Sequence, residues 1–272
     1  MQATVLCGSC IDLIPSLGKF DFIFADPPFN IGHPYIGYKD SRPDFDTFTA
    51  QWIYACWDAL SDDGVLCLHG NDELAVKYVQ NAVTFSMKRI AWILWHYRFG
   101  QCGRSNWING HAHCLVFAKS KDFTWNPEAV LVPSDRASIY GDRRIDDYDN
   151  GGMRLPGTVW GVPSDGEFWG RVQGNNQERR KGHPNQLPEN YLRRLILAYT
   201  NPGDRVLDPF GGSGTTIVVA NALGRNCTTI DISKETCKSI EERIAKGAMF
   251  PARNQDPIVP VVRKRRKRSA VK

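Results

Sequence analysis

Residues 205–233, "RVLDPFGGSGTTIVVANALGRNCTTIDIS", decide the fold. The run "RVLDPF" (205–210) reads as a short buried strand that ends on an acid, a proline and an aromatic. Gly211, Gly212, Ser213 and Gly214 then make a tight turn, "TIVVANALGR" reads as a helix, and "CTTIDIS" (227–233) as another strand. Glycines let the backbone approach a ligand, and the first amides of the helix point at that ligand's polar end. Asp231 ends the second strand, 17 residues beyond Gly214. There a carboxylate can take two hydrogen bonds from the hydroxyls of a ribose. No Gly-Lys-Ser/Thr follows the turn and the spacing is not G-x-G-x-x-G, so an adenosine ligand without phosphates is favoured over a phosphate loop.

Far upstream, "FDFIFADPPFN" (20–30) begins as a second buried strand and ends on a carboxylate, two prolines, an aromatic and an amide. Neighbouring parallel strands present their carboxyl ends on one edge of a sheet, where ligands bind. This places Asp26, Pro27, Pro28 and Phe29 beside the glycine turn. Prolines fix φ and lack an N–H, so they hold Asp26 and the neighbouring carbonyls in one geometry. The Asp26 carboxylate and the Pro27 carbonyl form a row of acceptors next to the Phe29 ring. Such a row suits a planar group that carries an NH2.

The remaining pattern agrees. "VLCGSC" (5–10), "GVLCLHG" (64–70), "AWILWHY" (91–97) and "HCLVFAK" (113–119) are further apolar runs, nearly continuous, as expected of strands buried on both faces. "DTFTAQWIYACWDALSDDG", "DELAVKYVQNAVTFS" and "LPENYLRRLILAYT" carry apolar residues at helical spacing. The expected fold is therefore α/β, a doubly wound, mostly parallel sheet with helices on both faces. Between about 120 and 182 the regularity stops; Trp160, Phe168 and Trp169 predict a segment with its own packing, an inserted module that faces the substrate. The expected division is 1–119, 120–182, 183–250 and a tail at 251–272.

At 272 residues the chain can bury a sizeable core. No apolar run approaches the roughly 18 residues of a membrane span, and the first residues lack the charged and apolar regions of a secretion signal. Eight cysteines in a chain of this length suit reduced, buried thiols in a cytosol. Cys7-x-x-Cys10 has no second such pair, so no metal is expected; His111, His113 and Cys114 read as local strand packing. The net charge of +5 divides unevenly: seven basic residues lie in 263–272, and the other 262 residues carry 27 basic and 29 acidic side chains. The tail reads as a solvated terminus, as an arm that contacts nucleic acid, or, in a eukaryotic host, as a nuclear address.

With these motifs in place, the chain resembles the S-adenosylmethionine-dependent DNA amino-methyltransferases, in the β-class order, with the catalytic motif first and the cofactor motif last. "ADPPFN" matches the D-P-P-Y/F motif, "VLDPFGGSGTT" the D-P-F-x-G-S-G-T motif, and "HPNQLPENYLRRLILAYTNPGD" the helix and turn between them. The resemblance runs from Val5 to about Arg243. It implies the class I methyltransferase fold, circularly permuted, with a target-recognition region at 120–182. It also implies S-adenosylmethionine as cofactor, held by Ser9, Asp26, His183, Asp208, Phe210, Gly211, Gly212, Ser213, Gly214, Thr215 and Asp231, and no metal. Two positions depart from the family: Gly8-Ser9 stands for its Gly-Asp pair, and Leu187 for a common lysine, leaving His183 as the polar group at the methionine end.

The implied catalytic residues are Asp26, Pro27, Pro28 and Phe29, acting on a base flipped from double-stranded DNA. Arg171, Arg179, Arg180 and Lys181 are the expected DNA contacts, with Arg136, Arg143, Arg144, Arg193 and Arg194 as further candidates. Asp before the two prolines favours adenine N6 over cytosine N4 as the target. The resemblance admits a homodimer and a cognate restriction nuclease as partners, in a cytosol. A catalytically silent DNA-binding protein of the same fold is the alternative from another class.

Overall fold

The computed structural model describes residues 1–35, 38–101, 107–136, 139, 141, 152–162 and 170–249. The elements begin with β1 (Ala3–Cys7), α1 (Cys10–Leu13), β2 (Phe20–Ala25), β3 (Pro34–Tyr35), β4 (Tyr38–Lys39), α2 (Phe45–Ala59), β5 (Leu60–Gly70), α3 (Asp72–Thr84), β6 (Lys88–Gln101) and β7 (Asn109–Ala118). β8 (Val132–Pro133), β9 (Met153–Arg154), β10 (Val159–Trp160), α4 (Glu189–Tyr199), β11 (Arg205–Asp208), α5 (Thr215–Ala222), β12 (Asn226–Asp231) and α6 (Lys234–Lys246) follow.

Eight strands form one sheet in the order β1-β12-β11-β2-β5-β7-β6-β10. The first five are parallel, and β7 runs antiparallel to both neighbours. Alternating strands and helices account for the parallel part. The reversal at β7 has a local cause: residues 102–108 are too few for a crossover, so β6 and β7 pair as antiparallel neighbours.

Strand side chains alternate between faces, and both faces are covered, which is why the strand sequences are nearly all apolar. Phe22 and Phe24 of β2 join the core beneath α4 and α5, with Leu192, Ile196, Ile217 and Val218. Ile23 and Ala25 join the opposite core, with Trp52 and Ile53 of α2 and Leu74 and Tyr78 of α3. Helix starts follow capping chemistry: Asn71 accepts from the Leu74 amide at 3.0 Å, and Ser233 from the Thr236 amide at 3.3 Å.

Several expectations change. The run at 5–10 ends as a strand at Cys7, and Cys10 starts a short helix. The run at 205–210 ends at Asp208, because Pro209 cannot donate to a ladder and the glycine turn follows. Trp160 does not pack within a module of its own; it lies in the main core, its ring 5.6 Å from that of Tyr191. Arg194 is 6% exposed with its guanidinium over Trp160, so it supports the core and is not a phosphate contact. Cys7 is exposed, against the expectation of buried thiols. Phe168, Trp169, Arg143, Arg144 and the basic tail lie outside the described residues.

Candidate active site

β11 and β2 lie side by side, with Val206 paired to Phe22 and Leu207 to Ile23, although more than 180 residues separate them along the chain. The chain leaves β11 for α5 on one face and leaves β2 for α2 on the other, so a crevice opens between them at their carboxyl ends. The resulting cavity is about 420 Å³. Asp26, Pro27, Pro28 and Phe29 line it from β2, and Asp208, Phe210, Gly211, Gly212, Ser213 and Thr215 from β11. Ser9, His183 and Asp231 complete the group expected from the sequence; Gly214 is not a lining residue and instead caps α5 at φ 76°.

The glycine turn is tightly fastened. Gly211 donates to the Ile230 carbonyl at 2.7 Å, and a methyl at its Cα would stand 2.6 Å from Thr229 Oγ1. Gly212, at φ 48°, donates to Asp231 Oδ2 at 2.9 Å, while Ser233 N–H takes Oδ1 at 2.9 Å. Asp231 therefore anchors the turn as well as lining the cavity.

Arg243 supports the turn from below. This guanidinium is buried; it donates to the Ser213 carbonyl and Thr215 Oγ1, both at 2.9 Å, and to Glu189 Oε1 at 2.8 Å. Glu189 is fully buried and also accepts the Met249 amide at 2.5 Å. Both partners escaped sequence reasoning, because each looks like an ordinary charge on an amphipathic helix.

The opposite wall differs. Among the described residues nothing donates a hydrogen bond to the Asp26 carboxylate or the Pro27 carbonyl. Asp26 lines the cavity, and burial, with repulsion from Asp208, pushes its carboxyl up to about 8. Burial likewise raises Asp208 to about 7, against hydrogen bonds from Thr216 and the Phe210 amide. His183 has its imidazole held below its ordinary range, first by burial and then by Arg243 and Arg180. Its Nε2 is buried without a partner among the described residues.

None of the expected DNA contacts lines the cavity itself, although Lys181 directly precedes the lining residues Gly182 and His183. Arg171 donates to Asn185 Oδ1 at 2.9 Å and lies over Tyr97, so it orients a cavity-lining amide. Arg179 donates to the Gly174 carbonyl at 3.0 Å, and the Arg180 amide donates to Gln186 Oε1 at 2.9 Å. Lys181 is exposed.

Asp72, His111 and His113 form a separate cluster, His113 Nε2 lying 2.6 Å from Asp72 Oδ1. Trp92 Nε1–H donates to His113 Nδ1 at 3.0 Å, which puts the histidine's proton on Nε2, aimed at Asp72. A metal-binding imidazole needs that nitrogen bare. The cluster reads as a staple between α3 and β7.

A mostly parallel sheet with one antiparallel strand set between two others, and a glycine turn facing an acidic corner across one crevice, defines a class I methyltransferase fold. Solved structures of that fold superpose on the chain. The M1.HpyAVI–SAM complex does so with a TM-score of 0.61 at 19% identity, over 89% of this chain and 99% of that one. The cytosine-N4-specific PvuII DNA methyltransferase gives 0.64 at 14% identity, over 89% of this chain and 86% of that one.

The DNA methylase model for N6 and N4 enzymes matches residues 20–242, and the chain belongs to that family. The DNA adenine methyltransferase YhdJ of Escherichia coli is 32% identical over 242 residues, covering 85% of this chain and 78% of that protein. S-adenosylmethionine is the family's cofactor, and the cavity fits it. A side chain at Gly212 would meet only the Phe210 carbonyl, at 3.7 Å, Asp231 presents its carboxylate to the cavity, and the buried His183 Nε2 has no partner among the described residues.

Proposed function

We propose that this DNA methyltransferase modifies the exocyclic N6 of adenine in double-stranded DNA, on a nucleotide turned out of the duplex. The observation that carries this reading is the pair of unfilled acceptors at Asp26 and Pro27, beside Phe29, on the rim shared with the glycine turn. A duplex hides the amine, so the base must leave the stack, at about a few kcal/mol. Phe29 gives the extruded ring a face to stack on. Asp26 and the Pro27 carbonyl accept the two amine hydrogens, which draws the nitrogen lone pair out of conjugation and aims it across the cavity.

Bound S-adenosylmethionine supplies the electrophilic sulfonium methyl group. The methylated nitrogen must then lose a proton, and the ionised form of Asp26, already hydrogen-bonded to that nitrogen, is placed to take it. Positioning and electrostatics do the rest. Asp231, Ser9 and the glycine turn would hold the adenosine half of the cofactor, and His183 the polar end. Arg171, Arg179, Arg180 and Lys181 would meet the DNA beside the cavity mouth. A cytosolic site of action goes with this reading.

Expression in a host free of DNA methylation, followed by long-read mapping of modified bases, tests it. N6-methyladenine in one sequence context is expected. N4-methylcytosine alone would move the target to cytosine, and DNA binding without any modified base would favour a silent binder.

A further inference from the structure

Directly after the catalytic corner, three consecutive backbone amides converge on one side chain. The amide of Phe29 donates to Asp40 Oδ2 at 3.1 Å, that of Asn30 to Oδ1 at 2.8 Å and that of Ile31 to Oδ2 at 3.3 Å. Gly32 donates to the Asp40 main-chain carbonyl at 2.6 Å, so four successive amides end on this residue. Asp40 is 2% exposed.

The backbone geometry explains the convergence. Asn30 adopts φ 57°, a left-handed conformation uncommon outside glycine. Such a residue turns successive N–H groups toward a common point and creates a concave anion site. Asn30 is held there by its own side chain: Oδ1 accepts the Arg42 amide at 2.6 Å, and Nδ2 donates to the Arg42 carbonyl at 3.3 Å. The anion that fills the site is part of the chain. It fastens the backbone that directly follows Asp26 and Pro27, and leaves the acceptors of those two residues free among the described residues.

We propose that Asp40 is a positioning residue for methyl transfer, which fixes the Phe29 ring as the wall against which the extruded base stacks. This rests on the base-flipping reading above. Asp40 itself also lines the cavity, but its oxygens are occupied by the amides.

The test is a double-mutant cycle of Asp40→Ala and Phe29→Ala, with Asp40→Asn alongside, on the cognate duplex found by mapping. Transfer rate, KM for DNA, calorimetric cofactor affinity and fluorescence of 2-aminopurine at the target position are read together. Asp40→Ala should lower kcat/KM for DNA by roughly 10- to 100-fold and change the 2-aminopurine signal, because misplacing a contact surface by about 1 Å has effects of that size. Cofactor affinity should stay within about twofold, and in the Phe29→Ala background the loss of Asp40 should change the rate by no more than about twofold.

Asp40→Asn keeps one acceptor oxygen and should fall between; it carries the same cycle if the alanine variant does not fold. An equal rate loss with and without the Phe29 ring would overturn the role, as would wild-type kinetics and fluorescence in the variant. A wild-type protein that methylates no DNA would instead remove the functional reading, and this role with it.

Discussion

The glycine turn and the acidic corner face one cavity from adjacent strands, yet they are held in opposite ways. At the turn, backbone groups are already partnered: Gly211 with Ile230, Gly212 with Asp231, Gly214 with Gly211, and Ser213 with Arg243. At the corner, the fastening lies on Asp40, through the amides that follow the motif, while the acceptors of Asp26 and Pro27 stay unmet among the described residues. A surface that only grips a ligand can be satisfied before the ligand arrives. A group that must take hydrogen bonds from a reacting amine has to keep that capacity open, and burial then raises its pKa.

The contrast can be broken most sharply at Asp26. Asp26→Ala should lower methyl transfer by about 10²- to 10³-fold or more, with calorimetric cofactor affinity nearly unchanged. Robust turnover would show that the corner does not do the chemistry.

Next in size is the support of the turn. Arg243→Met leaves the Glu189 charge buried without its guanidinium, at a cost of about 3–5 kcal/mol in urea unfolding. Arg243→Met with Glu189→Leu should recover much of that loss. A change under about 1 kcal/mol, the scale of a surface pair, would mean that the turn stands without this pair.

Gly211→Ala should cost about 1–3 kcal/mol, since the added methyl meets Thr229 Oγ1 at 2.6 Å and Ile240 Cδ1 at 2.8 Å. Cofactor affinity should fall with it. Unaltered melting and affinity would show that the turn has slack.

The smallest effect sharpens the comparison through pH. Asp26 sits at about 8 in the fold against an ordinary 3.8, so the folded state keeps a proton that the unfolded chain has released. Its contribution to stability is therefore complete below about pH 4 and is lost as pH rises to about 8. Asp26→Asn removes that slope, so the variant should melt about 2 °C or more above wild type near pH 8, and the gap should close toward acid pH. Parallel melting curves across that range would mean that the carboxyl is not held above its ordinary value. Asp208, raised to about 7, leaves a second slope in the variant.

Much of this was legible in the sequence because glycine, proline and a strand-terminal acid act on the backbone within a few residues. Both motifs, the helices and the mostly parallel sheet follow from such local chemistry. The supports were not legible. Nothing in "YKDSRPDFD" separates Asp40 from Asp44 and Asp46, yet the latter two are exposed while Asp40 receives three amides. Arg194, read as a surface cation, faces Trp160 in the core, because the short strand β10 brings that ring under α4.

By itself the sequence determined which residues can grip an adenosine and which can receive an amine. Only the tertiary structure decided that β11 enters between β12 and β2 and sets both at one crevice, and that Asp40, Glu189 and Arg243 are the charges beneath them. The physical reason is distance along the chain: periodicity and turn chemistry report on neighbours, whereas pairings across more than 180 residues are settled only by packing of the whole sheet.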